Sequence, residues 1–144
     1  MDANQDRAVQ AAFKQTTQCR GTLMQLSYLA TPYSKFPRGL EAAFIEACKL
    51  TARLIETGLH VYSPIAHTHP VAIHGKLDAM DQNLWKDFDA AMLNVCRVLI
   101  VAHMDGWEES SGIAHEIEFF EKRNRPIFDL DVKSLTMVRR VAKG

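Results

Sequence analysis

The sequence has no excess of charge of either sign. Seventeen Lys and Arg balance seventeen Asp and Glu across 144 residues, with six His besides. A neutral chain has no overall field to hold a phosphate backbone, so a nucleic-acid polymer is not an expected partner. Long apolar runs are also missing. The longest, Val98 to Ala102, falls far short of the roughly 20 residues that cross a bilayer as a helix, so no membrane association is expected. Cysteine is scarce: Cys19, Cys48 and Cys96 are odd in number and widely spaced, with no Cys-x-x-Cys pair. That pattern fits reduced thiols in a cytosolic protein, with Cys48 and Cys96 as packing residues, better than a disulfide frame or a thiolate metal site. Asp2, Asp6, Arg7 and Lys14 interrupt the first twenty residues, and no basic start followed by an apolar stretch marks a signal peptide. A cytoplasmic location is therefore expected. Neither Gly-x-x-x-x-Gly-Lys nor Gly-x-Gly-x-x-Gly occurs, which argues against nucleoside triphosphate hydrolysis and dinucleotide redox chemistry, and no cofactor is expected.

What is present is an ordinary globular balance, 47% apolar and 24% charged, enough for one domain with a true core. Gln25 to Thr31 reads as a strand ending at Pro32, and Pro32 to Pro37 as a loop. Leu40, Phe44, Ala47, Cys48, Leu54 and Ile55 recur at helical spacing within Arg38 to Thr57, before Gly58. Leu59 to Tyr62 reads as a second strand. Ser63 to Met80, with two prolines and three histidines, reads as a long loop able to close over a site. A helix over Asp81 to Cys96, a strand over Arg97 to Ala102, a loop over His103 to Glu109, a helix over Ser111 to Arg123 and a strand over Pro126 to Leu130 follow. Alternation of this kind predicts an α/β, flavodoxin-like or Rossmann-like three-layer α-β-α sandwich on a parallel sheet of four to five strands. The expected domain is 25–130, preceded by a helical extension over 1–24 and followed by a helical, basic tail over 131–144. Ligands of such sheets bind beyond the carboxyl ends of the strands.

Two acids stand on the wrong faces of their helices. Wound at 100° per residue, Ile113, Ile117 and Phe120 form one stripe, and Glu116 falls between the directions of Phe119 and Phe120. Trp85, Phe88, Met92 and Cys96 make the expected core stripe of the preceding helix, and Asp89 sits within it. Either acid alone could be a rim residue or a capping group. Two of them converging on one crevice point to a ligand or to chemistry, because an ionised carboxylate is costly to bury without a partner. Ser110 or Ser111 reads as an N-cap, and with Gly112 it starts a helix whose free N–H groups suit an anion. His67 and His69, with His74 or Asp78, offer a weaker zinc constellation that no ligand spacing supports, and no metal is expected.

Tyr28-Leu-Ala-Thr-Pro-Tyr33, the segment Ser63 to Pro70, Asp89 eight residues before the third strand, and Ser110-Ser-Gly-Ile-Ala-His-Glu116 together resemble the nucleoside 2-deoxyribosyltransferase superfamily. Within it the chain is similar to a group of short bacterial and phage proteins of unassigned function. The resemblance covers about Ser27 to Leu130. It implies that Glu116 is a nucleophile on the anomeric carbon, that Tyr28 holds it, and that Asp89 protonates the leaving base or binds sugar hydroxyls. It further implies that Ser110, Ser111 and Gly112 bind the 5′ group, with Lys35 or Arg38 as added charge, and that His67 and His69 touch the base. Tyr33, Asp105 and Trp107 complete the expected substrate contacts. Ser110 stands where transferases carry Asp and where nucleotide hydrolases carry Ser, which tilts the expectation toward hydrolysis of a nucleoside 5′-monophosphate. Arg97 and the Thr-Pro-Tyr-Ser turn depart from characterised members. The expected ligand is a small nucleoside or nucleotide, and the expected assembly a homo-oligomer, dimer or tetramer. A non-catalytic nucleotide sensor on the same fold is the alternative.

Overall fold

The computed structural model describes residues 25–141, together with Arg7. The expected N-terminal helical extension, apart from Arg7, and Cys19 lie outside the described residues, as do the last three residues of the tail. In chain order the elements are β1 (Ser27–Ala30), α1 (Leu40–Glu56), β2 (Val61–Tyr62), α2 (Pro64–Gly75), α3 (Gln82–Val95), β3 (Val98–Ala102), α4 (Ser111–Lys122), β4 (Ile127–Leu130) and β5 (Met137–Arg139). The sheet order is β2-β1-β3-β4-β5, with the first four strands parallel and β5 antiparallel on the edge. The expected α/β three-layer fold is present.

Strand alternation sorts the core into two layers. Leu29, Val98, Ile100, Ala102, Phe128 and Leu130 face α1, against Ala43, Leu50 and Leu54. Tyr28, Ala30, Leu99, Val101 and Ile127 face the other way, against Leu93, Ile113 and Phe120 of α3 and α4. Strand order reverses between β1 and β3, so the helices that follow these two strands pack on opposite faces of the sheet and leave a crevice at the strands' carboxyl ends. Gly106 keeps the loops after these two strands close: its φ is +90°, and a Cβ there would lie 2.2 Å from the Lys35 carbonyl oxygen.

Three expectations require correction. Ser63 to Met80 is not a long loop. Ser63 caps Ala66 N–H at 3.3 Å, Pro64 takes the first helical position where no N–H is needed, and the helix runs through Pro70 to Gly75. Pro70 forfeits a single backbone bond inside it. The tail over 131–141 is not helical either. Asp131 Oδ1 accepts from Lys133 N, Ser134 N and Ser134 Oγ, Leu135 adopts φ 58°, and the turn returns the chain along β4. Finally, only the Cys96 end of the expected stripe on α3 is core, at 0% exposure, and the rest is rim. Leu93 is the only buried residue of that helix, Trp85 and Met92 are half-buried, and Phe88 is 38% exposed. Among the described residues no helix is long and apolar enough to cross a membrane.

Candidate active site

The register of the sheet assembles the site. Tyr28 pairs with Tyr62 across β1 and β2, and the pleat turns both rings toward the α3 and α4 side, with centroids 5.7 Å apart. Beyond them, in the second turn of α4, is Glu116. The Tyr28 hydroxyl donates to Glu116 Oε1 at 3.2 Å. Glu116 Oε2 is buried and accepts from no donor among the described residues. The same holds for Asp89 Oδ1, and the Tyr62 hydroxyl is buried without a partner as well. Native interiors satisfy most of their buried polar atoms, so three such atoms around one tyrosine mark a surface built to hydrogen-bond something else.

The electrostatics describe one neighbourhood. Burial pushes the Glu116 carboxyl up to about 8. The Tyr28 hydrogen bond pulls against that rise, and the Asp89 charge adds to it. Asp89 is itself raised by burial, with His115 opposing. Burial, then the charges of Glu116 and Asp89, drive the Tyr28 phenol far above its usual range, so it remains a hydrogen-bond donor. Tyr62 is pushed up to about 12 by burial and by Asp89. Glu116, Tyr28 and Tyr62 all respond to the Asp89 charge, the kind of arrangement that tunes acids and bases for chemistry.

Ser110 is the N-cap of α4, its Oγ accepting from Ile113 N at 3.3 Å. Ser111 and Gly112 are exposed at the same helix start, where free N–H groups and the positive end of the dipole face solvent. His67 lies on the exposed side of α2, stacked on Phe88 with centroids 5.5 Å apart and 6.5 Å from the Tyr62 ring. It therefore borders the crevice.

His69 does not join it. Only 3% exposed, it stacks on Phe44, bonds Glu41 through Nε2 at 2.7 Å and meets the Tyr33 hydroxyl at Nδ1. Both ring nitrogens are occupied, so His69 has none left for a base in this arrangement, whereas the half-buried Tyr33 hydroxyl keeps acceptor lone pairs. The two histidines also fail to converge on a metal, and among the described residues no group of three or more His, Cys, Asp or Glu could hold one. Trp107 is half-buried and stacks on His103 at 4.1 Å, while Asp105 is exposed in the same loop. Arg38 lies over the Phe36 ring.

Sequence reasoning missed Tyr62 and His115. Tyr62 carried a signal, since it ends a strand whose carboxyl end opens on the crevice. His115 falls on the solvent arc of α4, and nothing in its spacing marks it as a neighbour of Asp89. No curated protein matches the chain. Residues 25–132 match the family described as Domain of unknown function (DUF1937), and because that stretch takes in most of the chain, the chain belongs to this family.

Proposed function

We propose that this protein is an enzyme that cleaves or transfers the N-glycosidic bond of a nucleoside or nucleoside 5′-monophosphate. Glu116 attacks the anomeric carbon through an oxocarbenium-like transition state, and the covalent glycosyl intermediate is resolved by water or a second base with net retention. Asp89 delivers a proton to the departing base or binds the sugar hydroxyls. Tyr28 fixes one oxygen of Glu116, and Ser110, Ser111 and Gly112 receive the 5′ group. The observation that carries the reading is the Glu116 carboxyl, with one oxygen held by Tyr28 at 3.2 Å and the other buried without a donor among the described residues.

The test is incubation of the protein with a panel of nucleosides and nucleoside monophosphates, with released base followed by chromatography. Glu116→Gln should lower release by at least about 10³-fold, and Asp89→Asn by about 10²- to 10⁴-fold if it is the proton donor. A nucleophile must be ionised, so with a carboxyl at about 8 kcat/KM should rise about tenfold per pH unit below that value and level off above it. Base release undiminished in Glu116→Gln would dismiss the nucleophile.

The same raised carboxyl favours a second reading, a non-catalytic nucleotide-binding protein in which a protonated Glu116 donates a hydrogen bond to its ligand. That reading expects no substrate turnover and an affinity that changes only a few-fold in Glu116→Ala.

A further inference from the structure

At the opposite end of the sheet from Glu116, the turn between α4 and β4 and the end of β5 enclose a cleft of about 390 Å³, within the roughly 300 to 1,000 Å³ of small-molecule sites. Four cations line it, Lys122, Arg125, Arg139 and Arg140, and Glu121 is the one carboxylate among the lining residues. Pro126 and Ile127 supply apolar wall. In a chain of zero net charge this is a local gathering of cations that is only partly neutralised, Arg140 by Asp129 and Lys122 by Glu118, and the cations left over repel one another.

Three of the four cations are held in place and only partly used. Arg125 Nη1 donates to the carbonyls of Leu93, Asn94 and Cys96 at 3.3, 2.9 and 3.0 Å, which fixes the guanidinium and leaves its other N–H groups uncommitted. Arg140 grips Asp129 through Nε and Nη2 at 3.1 and 2.6 Å, leaving Nη1. Lys122 pairs with Glu118 on the exposed helix surface at 2.6 Å. Arg139 has no ion pair or side-chain hydrogen bond among the described residues. Arg97 and Arg123 are close enough that, after burial, their charges help to hold the Arg125 guanidinium below its ordinary value. Anchored guanidinium forks with spare donors suit phosphate oxygens.

We propose that this cleft is a second binding site, separate from the Glu116 crevice, for a small phosphorylated molecule: its phosphate meets Arg125, Arg139 and Arg140, and its remaining atoms lie against Pro126 and Ile127. The cations converge on one cleft and do not run as a stripe, and the neutral chain gives no wider field, so a small molecule fits better than a nucleic-acid strand. The inference is independent of the proposed activity.

The test uses the ¹⁵N-labelled full chain, titrated separately with inorganic pyrophosphate and with glucose 6-phosphate at constant ionic strength. At least one of them should shift the amides of Asn124, Arg125, Ile127 and 139–141 saturably, and the tighter of the two tells inorganic from organic phosphate as the source. Arg139→Glu should weaken that binding at least about tenfold. Arg139 is exposed, so the variant should fold, and Lys122→Glu is the second variant should it not. Shifts confined to residues 110–113, no saturable shift with either probe, binding undiminished in both variants, or the same amides responding to a single-stranded oligonucleotide alone would each overturn the proposal.

Discussion

A single hydroxyl decides how Glu116 behaves. Among the described residues Tyr28 is the one protein donor to its carboxyl, and a donor stabilises the ionised form that burial and Asp89 oppose. Tyr28→Phe removes the donor with little change in shape, so the Glu116 carboxyl should rise further. Under the proposed mechanism, the rising limb of kcat/KM then moves about one pH unit higher, and activity at pH 7 falls about tenfold, the equivalent of about 1.4 kcal/mol. A pH profile measured for both proteins checks this, and an unmoved limb would mean that Tyr28 does not tune the carboxyl. Glu116 could be found from the sequence because its direction on α4 follows from a period of 3.6 alone. For Tyr62 the sequence offered only its place at the end of a strand, because its position beside Tyr28 and Asp89 depends on the register of β1 with β2 and on how α3 packs there.

Elements were legible where one signal spoke and were missed where two conflicted. Around α2, Ser63 and Pro64 announce a helix start, while Pro70 and three histidines suggest a loop; the cap and the packing of His69 against Phe44 prevail. The tail after β4 has helix-forming residues, yet the Asp131 turn and an unpaired strand edge draw it into the sheet as β5. At the start of α4, Ser110 has two possible duties, and they can be separated. Ser110→Ala removes the cap on Ile113 and should cost about 1 kcal/mol in urea unfolding. If Ser110 also binds a 5′-phosphate, KM for a nucleoside monophosphate should rise while that for the free nucleoside stays put. Equal effects on both would leave Ser110 as a cap alone. Gly106 tests the walls of the crevice. A methyl at 2.2 Å from the Lys35 carbonyl, on a residue with φ +90°, must push the two loops apart, and Gly106→Ala should lose at least about 2 kcal/mol by the same measurement.

For the molecule as a whole, the homo-oligomer remains a proposal. Leu84, Phe88 and Val95 are exposed and share one face of α3, a surface that a second copy would cover. Sedimentation equilibrium should then give a lower mass for Phe88→Glu than for the parent chain. Stability against pH draws both ends of the fold together. Burial works against ionisation of Asp129, but the hydrogen bonds from Arg140 and His103 outweigh it and hold that carboxyl below its ordinary 3.8. The stability Asp129 contributes is therefore present above the unfolded value and lost as pH falls through the folded one. Glu116 has the opposite sign. Its carboxyl stands at about 8 when folded against 4.5 when unfolded, so its contribution is complete below 4.5 and drains away as pH rises toward 8, by up to about 1.4 kcal/mol per unit. Asp89, raised by burial, adds to the same loss. The melting temperature should therefore peak near pH 5, on the acid side of the common range, and decline toward pH 8. Glu116→Gln, which cannot ionise, should melt several degrees above the parent at pH 8 and close to it at pH 5. A parent profile that is flat between those values would mean that Glu116 ionises freely in the folded chain and that the buried carboxyl on which the proposed chemistry rests is not buried in solution.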